Sequence, residues 1–173
     1  MAFNFLLASL SILVFSWSSH ADMIADICAQ SSSQAISPTT CARYIRSDPH
    51  SHGADLGTLG QISIKIAKVA LKNTATVAKS IRDLNNTGEI SYCVRLCSSA
   101  IDDLNTVAET LKHMTKRDKD DMPIMLSGIV SDVGWCDNNF EMNPGDRMPA
   151  DLKEASKIAQ GLILVVLIIA GML

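Results

Sequence analysis

The feature that most constrains the fold is a set of apolar residues that recur every three or four positions. The first such stripe lies between Ala54 and Leu84, with one longer gap at Asn73, and consists of Leu56, Leu59, Ile62, Ile66, Val69, Val77, Ile81 and Leu84. This spacing is typical of one face of an α-helix, and a helix of that length is about 45 Å long. No long segment alternates apolar and polar residues with the period of two that a half-buried strand shows. The sequence therefore predicts an all-α protein.

Further apolar stripes follow the first one, separated by sequences that favour turns. They cover residues 90–114, residues 122–140 and a segment that runs from near Pro149 to the end. We expect the charged stretch 116–121 to end the second helix, and the sequences at 85–88 and 143–146 to form turns. Four long amphipathic helices with short connections predict an up-down-up-down four-helix bundle.

The N-terminal segment is predicted to be a targeting sequence and not a part of the fold. Residues 1–21 contain no Lys, Arg, Asp or Glu and end in the small residues Ser19 and Ala21. These are features of a secretory signal peptide that is cleaved after Ala21. An uncleaved anchor or a buried helix is the alternative. Cleavage would send the remaining chain to an oxidising extracellular compartment.

The mature chain is predicted to form one domain in two parts. Met23–Gln30 and Thr39–Arg46 are two short helical segments with one cysteine each. We expect them to form a helical hairpin ahead of the bundle. The predicted domain is residues 22–173, with the hairpin at 22–47 and the bundle at 48–173.

The five cysteines favour two disulfides and one free thiol, which can be arranged in fifteen ways. A Cys28–Cys41 bond would staple the hairpin, and a Cys93–Cys136 bond would join the second and third bundle helices. The chain-entropy estimate gives these bonds about 3 and 4 kcal/mol of stability. Cys97 is left over. It is either a small buried apolar residue or a thiol that competes for Cys136 or bridges to another chain.

Composition and motifs argue against several functions. There are 15 basic and 18 acidic residues, a net charge of −3, so a nucleic-acid partner is not expected. The chain lacks G-x-S-x-G, H-E-x-x-H and the phosphate-binding loop motif, so we predict no enzyme activity and no cofactor. His50 and His52 have no third ligand at a useful spacing, so no metal site is expected.

Two further features concern the surface and the membrane. Asn85 begins the sequon Asn-Asn-Thr and is a candidate glycosylation site in a secreted chain. The uncharged tail 161–173 is too short to span a bilayer and is typical of a buried helix. We therefore expect no membrane association after cleavage of the signal peptide.

Three stretches resemble the plant invertase and pectin methylesterase inhibitor family. They are SDPHSHGADLGTLGQISIKIA (47–67), CVRLCSSAIDDL (93–104) and WCDNNFE (135–141). Four of the cysteines fall where this family has its two bridges, and Cys97 stands where a Tyr is usual. The Pro-Lys-Phe triplet of several invertase inhibitors is absent, since the corresponding position is near Lys119-Asp120-Asp121.

The resemblance implies a secreted inhibitor of the plant cell wall (the apoplast). The target that it implies is pectin methylesterase, bound in a one-to-one complex that occludes the substrate cleft and is favoured by acidic pH. The resemblance places the contacts on the polar faces of the second and third bundle helices. The candidate contact residues are Asp102, Asp103, Glu109, Asp132, Trp135 and Asp137.

Two alternatives to this function stay open at this point. The target could be acid invertase instead. A hypothesis of another class is a helical bundle that binds a small apolar ligand and inhibits nothing. In either case the free protein is expected to be a monomer.

Overall fold

A computed structural model describes residues 22–31, 35–84, 88–142 and 147–173, and these form helices and no strands. The helices are α1 (Asp22–Gln30), α2 (Pro38–Arg46), a short 3₁₀ helix (Pro49–Ser51), α3 (Leu56–Leu84), α4 (Gly88–Lys112), α5 (Lys116–Met142) and α6 (Ala150–Met172). The predicted all-α class is confirmed. The predicted signal peptide, the Asn85 sequon and the turn at 143–146 lie outside the described residues.

The last four helices form the predicted bundle. α3 packs against α4 and α6, and α5 packs against the same two helices. The four helices therefore form a ring in which α3 and α5 occupy opposite corners. The predicted hairpin is also present, because α1 packs on α2 and both contact α6.

The buried face of α3 differs in part from the predicted one. Leu59 and Ile62 of the predicted stripe are buried, but Val69 is 61% exposed. The other buried residues of the helix are two large apolar residues and several small ones: Ile64, Leu71, Gly60, Ser63, Ala67, Thr74, Ala75 and Ala78. Small residues allow α3 to approach α4 and α6 closely. A Cβ atom at Gly60 would lie 2.8 Å from Leu111 Cδ2 of α4.

The boundary between α4 and α5 also differs from the prediction. The charged stretch 116–121 does not end α4, which stops at Lys112, but forms the first turns of α5. Thr115 explains the start of α5. Its backbone N–H donates to Asp118 Oδ2 at 2.7 Å, and the Asp118 N–H donates back to Thr115 Oγ1 at 3.4 Å. This reciprocal capping box satisfies N–H groups that the helix start leaves unpaired.

The hairpin is held by its disulfide and by close packing on α6. Cys28 and Cys41 are bonded with a Cα–Cα distance of 5.6 Å, as predicted. Ser37 begins α2 by accepting a hydrogen bond from the Thr40 N–H. At Gly161 of α6, a Cβ atom would lie 2.7 Å from Ile36 Cγ2, so the absence of a side chain lets the hairpin sit close to the bundle.

A buried carboxylate organises the connection between the hairpin and the bundle. Asp48 is 8% exposed and accepts hydrogen bonds from Lys65 Nζ at 2.9 Å and from the His50 N–H at 3.0 Å. The Lys65 ammonium first, and then the two groups of His50, lower the pKa of Asp48 to about 2. The linker therefore carries its negative charge through the whole physiological pH range.

Helix α6 is long and apolar enough to cross a membrane by length and composition, and it is the one such helix in the described parts of the chain. The core helix of a bundle meets the same criterion. Most of the C-terminal half of α6 is buried against its neighbours, with Leu162, Ile163, Val165 and Ile169 each at most 2% exposed. The predicted buried helix is therefore what the structure shows.

Candidate functional site

The predicted second disulfide fixes α5 against α4. Cys93 and Cys136 are bonded, both have 0% exposure, and their Cα atoms are 4.8 Å apart. Each cysteine lies on the buried stripe of its helix. The bond therefore restricts sliding or rotation of α5 relative to α4, and the outer surface of α5 is presented on a rigid support.

Cys97 is a free and fully buried thiol one turn after Cys93. Burial raises the pKa of Cys97 to about 12, and the negative charge of Asp137 contributes in the same direction. Disulfide exchange requires the thiolate, which is scarce at this pKa. Of the two predicted alternatives, the structure favours the small buried apolar residue over the competing thiol.

The outer surface of α5 carries an unusual row of exposed apolar side chains. Ile124 is 71% exposed, Trp135 43% and Met142 60%. With Gly128 and Ser131 between them, these residues lie at spacings of three, four or seven, which places them on one side of the helix. We call these five residues the outer ridge. It spans about 27 Å along the helix axis.

The outer ridge faces away from the bundle. The core face of the same helix consists of Met122, Leu126, Ile129, Val133, Cys136 and Phe140, all at most 6% exposed. The two sets lie on opposite sides of α5, so the ridge residues cannot be part of the core. Large apolar side chains exposed along one face of a helix are candidates for an interaction surface.

The middle of the ridge, at Gly128 and Ser131, carries no large side chain. A Cβ atom at Gly128 would have no neighbour within 4 Å. Beside it, a groove of about 560 Å³ opens between α5 and α6, lined by Pro123, Ile124, Ser127, Gly128, Ser131 and Leu167. The ridge thus offers two protruding apolar ends with a depression between them.

Two of the predicted contact residues lie on or beside this ridge. Trp135 is part of the ridge itself, and Asp132 is exposed one turn before Cys136. Asp137 points inward instead. Its Oδ2 accepts a hydrogen bond from Gln160 Nε2 of α6 at 2.8 Å, and its Oδ1 is buried without a partner in the described structure. Little of the Asp137 carboxylate is therefore available to another protein.

The remaining predicted contacts lie on α4, and two of them face α3. Asp102 and Glu109 are exposed and lie one turn on either side of Asn105, which accepts a hydrogen bond from Lys68 of α3. Glu109 also accepts from Lys112 Nζ at 2.7 Å, and this hydrogen bond lowers the pKa of Glu109. Asp103 is half-buried. The structure does not bring these carboxylates together with the ridge.

Comparison with known proteins places this fold in a family. Residues 22–169 match the plant invertase/pectin methylesterase inhibitor family. The chain belongs to this family. A pectinesterase inhibitor of Actinidia deliciosa is 27% identical over 152 residues, which cover 87% of this chain and 79% of the relative.

Family membership indicates that this inhibitor acts on an enzyme and is not itself one. The predicted resemblance is confirmed, and the match covers both the hairpin and the bundle. Sequence reasoning found Trp135 of the inhibitor's ridge but missed Ile124 and Met142. A signal for them was present, because both are apolar residues off the core stripe and share one helix face with Trp135.

Proposed function

We propose that the chain is a secreted inhibitor of pectin methylesterase that docks on its target through the outer ridge of α5. The observation that carries this proposal is the exposed row Ile124, Trp135 and Met142 on the solvent side of a disulfide-braced helix. The pectinesterase inhibitor among its relatives supports the choice of target.

The shape and stiffness of the ridge suit inhibition by occlusion. A helix edge about 27 Å long is convex and fits a concave substrate cleft, in a one-to-one complex. The two disulfides reduce the conformational entropy that the inhibitor would lose on binding. Trp135 is the expected anchor, because partly exposed tryptophans are over-represented among residues that dominate binding energy.

The charged residues near the ridge complete the proposed interface. Asp132 would lie in the polar rim, where charges mainly affect orientation and association rate. Asp102, Asp103 and Glu109 would contact the target only if it extends across α4. Asp137 is proposed to act indirectly, because its hydrogen bond to Gln160 links α5 to α6 beneath the ridge.

Secretion to the apoplast forms part of the proposal. The predicted signal peptide at 1–21 ends where the family match begins, at residue 22. Two disulfides are also expected of a protein made in an oxidising compartment. In this setting Asn85 would be glycosylated, and the mature protein would be a monomer without membrane association.

Acid invertase is the second candidate target. The description of the family names both enzymes, and the chain belongs to the family as a whole. The assay that separates the two targets uses the purified, disulfide-bonded protein against plant pectin methylesterase and acid invertase in parallel, at about pH 5. Inhibition of the esterase alone is expected.

A pair of matched variants tests the docking surface. Trp135→Ala is expected to weaken inhibition of the esterase roughly thirtyfold, since loss of a hot-spot residue costs about 2 kcal/mol or more. Val69→Ala is the control, because Val69 is a similarly exposed apolar residue on α3, at the opposite corner of the bundle. Equal inhibition by both variants would reject the ridge as the docking surface.

A further inference from the structure

Basic charge is concentrated in one part of this acidic protein. Helix α3 contains one acidic residue, Asp83, against five basic ones: Lys65, Lys68, Lys72, Lys79 and Arg82. Two of these five already have carboxylate partners. Lys65 donates to Asp48, and Arg82 pairs with Asp83. The net charge of −3 thus conceals a strongly uneven distribution.

Three lysines of α3 form a continuous basic surface. Lys68, Lys72 and Lys79 lie within about 40° of one another around the helix and span about 17 Å along it. Lys72 and Lys79 are exposed, while Lys68 is half-buried and donates to the neutral side chain of Asn105. No carboxylate of the described residues lies within 4.0 Å of their ammonium groups. We call these three residues the basic face.

The neighbouring helix leaves the basic face largely uncompensated. Beyond Lys68, the C-terminal half of α3 runs along the N-terminal half of α4, whose charged residues Glu89 and Arg95 balance each other. Asp102 is exposed on the side of α4 next to α3, but it forms no ion pair with the lysines. Asp83 lies one turn after Lys79 on the same side of α3, but its carboxylate pairs with Arg82 at 3.4 Å. The three ammonium groups therefore have no carboxylate partner in the described structure, and Asp83 and Asp102 are the nearby acidic residues.

We propose that the basic face binds a linear acidic polysaccharide, a chain of uronic-acid sugars with free carboxylates. This inference rests on the proposed function, since an esterase that removes methyl groups from pectin leaves such carboxylates behind. Successive lysines along a straight helix match a ligand that carries the opposite charge at regular intervals. The inhibitor would then be retained where its target has already acted.

The chemistry of the surface favours a polysaccharide over other polyanions. Single-stranded nucleic acids are bound with aromatic side chains on which the bases stack, and the exposed side of α3 carries none. Insertion into a membrane surface requires a broad apolar face, whereas Val69 is the one large apolar side chain exposed beside the lysines in the described part of α3.

The position of the basic face allows both proposed contacts at once. α3 and α5 lie at opposite corners of the bundle. A polysaccharide bound along the lysines would therefore leave the outer ridge free to dock on an enzyme. The two surfaces can be tested separately for the same reason.

The experiment measures binding of the purified mature protein to immobilised polygalacturonate, with fully methyl-esterified pectin as the uncharged polymer. We expect the protein to bind the acidic polymer and not the uncharged one. Added salt should weaken this binding, because exposed charges are screened within about 8 Å at physiological ionic strength. Equal binding to both polymers would refute the proposal. So would binding to duplex DNA or to phosphatidylserine vesicles as tight as that to polygalacturonate.

Two triple variants with the same net charge locate the site. The basic-face variant is K68Q/K72Q/K79Q, and the control is K116Q/K153Q/K157Q, which removes three exposed lysines from α5 and α6. Loss of three ionic contacts at the protein surface is expected to weaken binding of the first variant roughly tenfold, with the control unchanged. Equal affinities of the two variants would show that the basic face is not the site.

Inhibition of the esterase on a small soluble ester keeps the two proposals distinguishable. The basic-face variant should inhibit as the wild type does, which also shows that it is folded. A wild-type protein that binds polygalacturonate but inhibits neither enzyme would refute the proposed function without refuting polysaccharide binding by the basic face.

Discussion

The contact between the hairpin and α6 yields a prediction that two alanine substitutions can isolate. A Cβ atom at Gly161 would lie 2.7 and 2.9 Å from two γ carbons of Ile36 and 3.2 Å from Ala35 Cβ. Ile36 is 7% exposed and β-branched, so it has little freedom to move away. The structure therefore predicts that Gly161→Ala forces the hairpin away from the bundle.

The magnitude follows from two opposing effects. Replacing Gly by Ala inside a helix stabilises it by about 1 kcal/mol, and overpacking a well-filled core costs about 1–3 kcal/mol. Gly128→Ala is the matched control, since it gains the helix propensity and its Cβ meets nothing within 4 Å. The propensity cancels in the difference, so Gly161→Ala should be less stable than Gly128→Ala by about 2 kcal/mol.

Urea unfolding followed by circular dichroism measures this difference directly. In thermal unfolding it corresponds to about 4–8 °C for a domain of this size. Protein with both disulfides intact should be used, so that the hairpin stays cross-linked in every sample. Equal unfolding free energies for the two variants would refute the close approach of Ile36 to α6.

Further predictions concern the buried polar groups, the thiol and the helix start. The pKa of Asp48 is about 2 in the folded protein and 3.8 in the unfolded reference. Its contribution to the unfolding free energy is therefore complete above pH 3.8 and is lost as the pH falls toward 2. Asp48→Asn should make the unfolding free energy, measured by urea titration, depend less on pH in that window. Cys97 should resist a thiol reagent in the folded protein and react once in denaturant, and fast labelling without denaturant would contradict its burial. Replacing the Cys93–Cys136 pair with Ala should lower the unfolding free energy by about 4 kcal/mol in urea titrations. Thr115→Ala should cost about 1 kcal/mol through loss of the cap, measured in the same way.

Much of the architecture could be predicted because the signals are local. Apolar spacing identified the long helices, and the predicted segment Thr39–Arg46 begins within one residue of the observed α2, Pro38–Arg46. The pairing of both disulfides followed from which elements a bond could join. Helical period and turn residues carry such information without knowledge of the tertiary structure.

The buried face of α3 could be found only in part by looking for large apolar residues, which identified Leu59 and Ile62 but not the small buried residues. The helix uses Ser63, Ala67 and Ala78 where it touches its neighbours, while Val69 faces solvent. Close helix packing selects small side chains, and their low hydrophobicity hides them in a pattern search. The residues of the Thr115–Asp118 cap are present in the sequence, but the prediction used only the charged composition of residues 116–121.

The candidate site was predicted only in part for a similar reason. Trp135 was found as a single conspicuous residue, whereas Ile124 and Met142 required the complete face of α5 to be considered. The inward orientation of Asp137 depends on Gln160, which is 23 residues away on another helix. Contacts of that kind arise from packing and leave no local trace.

The position of Cys97 one turn from Cys93 has a consequence for biosynthesis. In the unfolded chain both thiols ionise normally and either can attack a disulfide that involves Cys136. Once α4 has packed, the Cys97 thiol is buried and can no longer attack an incorrect disulfide. The choice of bonding partner is therefore made while the chain folds, and the fraction of correctly oxidised molecules is determined before α4 and α5 have packed together.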